Sequence, residues 1–238
     1  MSISRRSTSR AFLQIALPAL VWLTAVYSRN YLISPRCAIH PELCTKNLVG
    51  WFDSFAFRYQ SGFADALSLY GEIVMAILAV IILSWVRRRH ADGETIQRPT
   101  LRQELAALVS IAMWNGCTTE VIRLIVQRPR PFVYFDPVRL GANPAHYNSF
   151  YSGHTSFVSA MGVALLLLLL PKDLSKTAFF LISLLVVALI VSTGICRVLS
   201  GRHFPSDVVS AILGGTLVAA IAFVFSRTHY DLTMEKPV

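Results

Sequence analysis

Along the chain, long apolar runs alternate with short polar segments, and the runs are too uniformly apolar to be one face of a soluble helix. Six of them, near residues 11–27, 63–86, 104–127, 155–171, 177–195 and 208–225, are close to the roughly 20 residues that span a hydrocarbon core. The pattern predicts an all-α fold: a six-helix bundle integral to a membrane, with residues 1–238 as a single domain and both termini on one side. The first run follows Arg5, Arg6 and Arg10, as in a signal peptide, but no small-x-small cleavage site follows Tyr27, so a retained helix is expected. Pro18 inside that run predicts a kink accommodated by neighbouring helices.

Composition agrees, with 54% hydrophobic residues and a mean hydropathy of +0.54. The net charge of +9 would suit nucleic acid if it formed one face. Instead the basic residues flank apolar runs, and no nucleic-acid partner is expected. Arg5, Arg6, Arg10, Arg87, Arg88, Arg89, Arg98, Arg102, Lys172, Lys176 and Arg227 fall on one side under six-helix threading, which the positive-inside rule makes cytoplasmic. The opposite side, periplasmic in a bacterial inner membrane, receives residues 28–62, 128–154 and 196–207.

Nearly all candidate chemistry lies on that outer side. Segment 28–62 is aromatic, with Trp51, Phe52 and Phe55, and is read either as a short interfacial helix over 48–57 or as a packed loop. Cys37 and Cys44 share it and are spaced so that an oxidising compartment would allow a disulfide, whereas Cys117 and Cys196 belong to separate helix regions. In the second helix Glu72 lies about 10 Å deeper than Asp65 and needs a partner, with Arg123 expected and Glu120 competing for that arginine. Asp65 is expected just ahead of a helix that starts after it.

Three polar segments carry the chemistry. Arg123-Leu-Ile-Val-Gln-Arg-Pro-Arg-Pro131 ends the third helix with two Arg-Pro pairs. Tyr151-Ser-Gly-His-Thr155, reached through a loop holding Tyr134, Asp136, Arg139, His146 and Tyr147, opens the fourth, where free N–H groups and Gly153 suit an anion. Cys196-Arg-Val-Leu-Ser-Gly-Arg-His-Phe-Pro-Ser-Asp207 joins the fifth to the sixth. His203 and Asp207 are four apart, so a helix starting at Pro205 lets the carboxylate reach one imidazole nitrogen and leaves the other free to attack. The neighbouring Arg197 and Arg202 point to phosphoryl chemistry. Gly214 and Gly215 in the sixth helix are read as packing residues.

Together the three segments resemble the signature of the type 2 phosphatidic acid phosphatase superfamily. Its first part, Lys, six residues, Arg-Pro, corresponds to Arg123 and Arg130-Pro131; its second, Pro-Ser-Gly-His, to residues 151–154; its third, Ser-Arg, five residues, His, three residues, Asp, to Cys196-Arg197, His203 and Asp207. Arg for Lys at 123, Tyr for Pro at 151 and Cys for Ser at 196 depart from it. The resemblance implies a phosphohistidine on His203, with Asp207 orienting it and stabilising its charge. His154 then protonates the leaving oxygen and later activates water. It also implies that Arg123, Arg130, Arg197, Ser152 and the Gly153 N–H hold the phosphoryl group. Arg128 and Arg202 are left as headgroup or loop contacts.

A zinc site of His154, His203 and Asp207 is disfavoured by three arginines in the same cavity, so no metal or cofactor is expected. A Ser152–His203–Asp207 hydrolase lacks the Gly-x-Ser-x-Gly elbow. A six-helix transporter would gather its polar groups nearer the midplane. A phosphotransferase of the same fold is the nearer alternative to a phosphatase. The implied partner besides the bilayer is a lipid phosphate: undecaprenyl diphosphate, phosphatidylglycerophosphate, phosphatidic acid or a lipid A phosphate. The sequence carries no signal for oligomeric state.

Overall fold

The structure, a computed structural model, describes residues 2–89 and 100–234, with side chains over 14–88 and 100–225. In order the helices are α1 (Ser2–Leu32), α2 (Arg36–Ile39), α3 (Trp51–Ser54), α4 (Gly62–Arg89), α5 (Leu101–Val126), α6 (Pro137–Leu140), α7 (Gly153–Leu169), α8 (Lys176–Leu199) and α9 (Pro205–Met234). The six longer ones overlap the six predicted runs. Four of them, α4, α5, α8 and α9, are long and apolar enough to cross a membrane, and α7 is apolar but 17 residues long. Helices α1 and α9 extend well beyond the predicted 11–27 and 208–225, because a helix that satisfies its own backbone need not stop where its apolar stretch does.

Each helix turns a stripe inward. On α4, Met75, Ala79, Leu83 and Val86 recur at helical spacing, fully buried, and meet Leu108 and Ile111 of α5, Val158 and Leu165 of α7, and Val186 of α8. Helix association within lipid rests on close packing and interhelical hydrogen bonds. Both are present: a Cβ on Gly215 of α9 would lie 2.4 Å from the Ser156 carbonyl of α7, and Ser159 Oγ donates to the Ile212 carbonyl at 3.0 Å. On α1, which contains Pro18, the Trp22 ring lies over Gly116 of α5.

The polar groups divide between the two ends. At one, Lys172 in the α7–α8 turn pairs with the buried Glu104 at 2.6 Å. That is the end of the predicted cytoplasmic charges; of those, Arg98 lies outside the described residues, as do the side chains of Arg5, Arg6, Arg10, Arg89 and Arg227. At the other end meet the C-termini of α1, α5 and α8, the N-termini of α4, α7 and α9, and the loops 33–61 and 127–152. The Cys37–Cys44 disulfide forms there. Tyr147, fully buried, accepts from the Cys37 N–H at 2.8 Å and donates to the Gly141 carbonyl at 2.9 Å, joining these two loops. The expected interfacial helix over 48–57 is α3 followed by a 3-10 turn, Phe55–Phe57, with Trp51 exposed.

Gly215→Ala should force α7 and α9 apart at a backbone carbonyl, costing about 1–3 kcal/mol as overpacking does. A lowered thermal midpoint in detergent is the expected result, and an unchanged one would contradict this packing.

Candidate active site

The chain makes the site where two helices end sharply and a third begins. Helix α5 stops at Gln127, whose left-handed backbone (φ 48) caps the helix by donating to the Arg123 carbonyl. The next residues pair with the far end of the loop, Arg130 N–H to the His146 carbonyl at 2.9 Å and Ser149 N–H to the Arg128 carbonyl at 3.0 Å. Helix α8 ends in a turn through Gly201 (φ +66), where a Cβ would lie 2.9 Å from the Tyr59 carbonyl, so only glycine suits both the angle and the space. Helix α9 begins at Pro205 as expected.

His203 is fully buried between these segments. Its Nδ1 lies 2.7 Å from the Ser149 carbonyl, which can only accept, so Nδ1 carries the proton and Nε2 bears the lone pair. Nε2 is buried without a partner. Burial first, then Arg197, Arg130 and Arg123, hold this imidazole well below the usual histidine range, so it stays neutral.

The expected bond between Asp207 and His203 is corrected here. Asp207 Oδ2 is 3.8 Å from Nδ1 and instead accepts from Ser149 Oγ at 2.5 Å and from the Phe204 N–H at 2.8 Å. Its other oxygen accepts from Arg128 at 2.6 Å. Asp207 therefore orients His203 at one remove, by holding the residue whose carbonyl holds the ring. Arg128, read as a peripheral contact, is half-buried in this network. It also donates to Asp53 of α3 at 2.7 Å, and Asp53 accepts from the Ser206 N–H and hydroxyl at 2.9 and 2.7 Å.

The other predicted residues gather around His203. Arg123 lies along the start of α7, donating to the Tyr151 carbonyl at 3.2 Å and to Glu120 at 2.6 Å. Glu120 also accepts from Arg29 of α1, so the expected Glu72–Arg123 pair does not form. Gly153 makes room for this guanidinium, since a Cβ there would lie 2.8 Å from Arg123 Nη2. Arg197 donates to Asp65 Oδ1 at 2.6 Å and to Ser68 Oγ at 3.1 Å, and Arg202 donates to Asp65 Oδ2 at 2.9 Å. Helix α4 thus starts before Asp65, not after it, and Asp65 anchors both arginines. The Nε groups of Arg130 and Arg197 are buried without partners, as His203 Nε2 is. A buried unpaired donor costs about 1–3 kcal/mol. An anion placed against such donors, within the field of three guanidiniums, would relieve that cost.

Ser152 is the N-cap of α7, accepting from the Thr155 N–H at 3.4 Å with its hydroxyl 2.9 Å from that of Thr155. It is fully buried. His154 Nδ1 lies 3.8 Å from Glu72 Oε1. Tyr151, where the signature has Pro, packs its ring against Gly214 of α9, and Cys196 is a buried free thiol. Of the loop residues, Asp136 caps α6 and pairs with Arg139, His146 meets the Leu140 carbonyl, and Tyr134 stacks edge-on with Phe204. These hold the loop against the site. Among the described residues no group of three or more metal-binding side chains assembles.

Because unfolding lets His203 take up a proton below about pH 6.5 while the folded protein resists it, lowering pH from ~7.5 to ~5.5 should destabilise the wild type more than His203→Gln. Parallel losses of thermal midpoint in the two proteins would mean an ordinary histidine.

Comparison with known proteins bears on this geometry. Residues 103–231, from α5 through most of α9, match the PAP2 superfamily, and all three signature segments lie inside the match. A lipid A 1-phosphatase of Rhizobium etli is 29% identical over 127 residues, covering 51% of this chain and 50% of that protein. The chain therefore spans about half the length of the curated relative it matches. No solved structure matches it. With the family matched across more than half its length, the chain belongs to the PAP2 superfamily.

Proposed function

We propose that this protein is a metal-independent phosphatase of membrane lipid phosphates or diphosphates, acting at the outer face through a phosphohistidine on His203. The observation that carries the reading is the state of His203: buried, neutral, its tautomer set by the Ser149 carbonyl, and its Nε2 unpartnered among three arginines. A nucleophile so held is in place before substrate arrives, and phosphoryl transfer chiefly requires positioning and stabilisation of spreading negative charge. Arg123, Arg130 and Arg197, with the first N–H groups of α7 at Gly153, surround the transferring group. Ser152 serves as the cap that aims those N–H groups. His154 supplies the proton to the leaving oxygen.

The site lies at the end of the bundle, where a lipid keeps its tails among the helices and brings its phosphate to headgroup level. The relative's name favours lipid A phosphates within the wider class of bacterial envelope lipids. The Cys37–Cys44 disulfide favours an oxidising compartment beside the site, hence the periplasmic face of an inner membrane with both termini cytoplasmic.

Purified wild type in detergent with excess EDTA should release phosphate from at least one of lipid A 1-phosphate, phosphatidylglycerophosphate, phosphatidic acid or undecaprenyl diphosphate, and His203→Ala should reduce release at least ~10³-fold while remaining folded. Appreciable turnover by His203→Ala would remove it as the nucleophile. No release without an acceptor lipid, but phosphoryl transfer with one, would make the protein a phosphotransferase. Asp207→Asn keeps an oxygen for Ser149 but loses the charge facing Arg128, so it should retain more activity than His203→Ala. Equal loss would argue for a direct role of the carboxylate.

A further inference from the structure

On α4, Asp65, Ser68 and Glu72 recur at i, i+3 and i+7 and so share one face. The first two hold Arg197. Glu72, one turn deeper, has a different neighbour: its Oε1 is 3.8 Å from His154 Nδ1, and the two side chains are 26% and 30% exposed. Among the described residues His154 is its one ion-pair partner. Glu72 also lies outside the segment that matches the family.

His154 occupies a position hostile to a proton. It stands in the first turn of α7, at the positive end of the helix dipole. Burial acts on it first, and then the guanidiniums of Arg197 from α8, Arg123 from α5 and Arg130 from the loop after α5. From α4 face Asp65 and Glu72, but Asp65 is committed to Arg197 and Arg202. Glu72 is the acid left to offset the three cations. We infer that Glu72 is a positioning residue for His154, standing 3.8 Å from Nδ1 so that the imidazolium formed in turnover turns its Nδ1–H toward this acid and keeps Nε2 as the nitrogen that gives and takes the proton of the reaction.

This rests on the phosphatase reading above. In the first step His203 Nε2 forms a bond to phosphorus. The P–O bond to the lipid breaks with its electron pair on the lipid oxygen, and the His154 Nε2 proton moves to that oxygen. His154 is then neutral, with its Nδ1–H turned toward Glu72. In the second step water attacks phosphorus and gives a proton to His154 Nε2. The N–P bond breaks with its pair returning to His203, and phosphate leaves. Glu72 gains and loses no proton in either step, and the imidazolium draws Nδ1–H closer to it whenever the His154 proton is present.

The test compares wild type, Glu72→Gln, Glu72→Asp, His154→Ala and His203→Ala, all full-length in detergent, on dioleoyl phosphatidic acid, whose alkoxide must be protonated to leave, and on p-nitrophenyl phosphate, whose phenolate need not be. Glu72→Gln should lose on the order of 10²-fold in kcat on the lipid, the low end of what a placed general acid contributes. It should also keep the burst of p-nitrophenolate within about twofold, and shift the alkaline limb of the lipid pH profile to lower pH. Glu72→Asp should restore part of both. An unshifted limb, or equal loss on the two substrates, overturns the inference. If that occurs while His203→Ala and His154→Ala are inactive on the lipid, the phosphatase reading survives and only the role of Glu72 falls. If His203→Ala is active, the reading beneath it fails first.

Discussion

The hydrogen bond from His203 Nδ1 to the Ser149 carbonyl is the contact on which the rest of the site depends. A buried imidazole with one nitrogen tied to an obligate acceptor has one tautomer and one free lone pair. Everything around it keeps that carbonyl in place. The Ser149 N–H is bound to the chain leaving α5, its hydroxyl to Asp207, and Asp207 to Arg128. Arg128 is held in turn by Asp53 of α3. Four segments distant in sequence thus converge on one peptide group.

Electrostatics explains why so many acids stand among the arginines. Arg123, Arg128 and Arg197 each meet a carboxylate, from Glu120, Asp207 and Asp65 respectively. Truncating one member of a buried ion pair leaves its partner uncompensated at a cost of about 3–5 kcal/mol. The pair with Asp65 also fixes the Arg197 guanidinium, whose Nε, like that of Arg130, is buried without a partner. The site is then cationic in its free donors, although acids stand among its arginines.

Much of this was legible in the sequence, for a topological reason. Each chemical segment sits at the end of an apolar run, and antiparallel threading of six runs sends the ends near Arg123, His154 and His203 to one side. The glycines at 214 and 215 were legible as packing residues because small side chains within an apolar run have few other uses. Partner choice was not legible. Depth along a helix placed Glu72 level with Arg123, but not the face each presents, and Glu120, three residues from Arg123, took the guanidinium. Asp53 and Ser149 escaped notice because their contacts exist only once two irregular loops have packed together, and neither stands in a periodic pattern. The i, i+4 spacing of His203 and Asp207 suggested a direct bond, but the Ser149 carbonyl reaches the ring first.

The central claim is that phosphate passes through His203 Nε2. The most direct measurement is to quench turnover at alkaline pH and map phosphate on the digested protein by mass spectrometry, with His154→Ala used to accumulate any intermediate. The account predicts an acid-labile phosphate on the peptide carrying His203, absent from His203→Ala. Phosphate on another residue, or a single direct displacement by water with no labelled protein at any time, would contradict it.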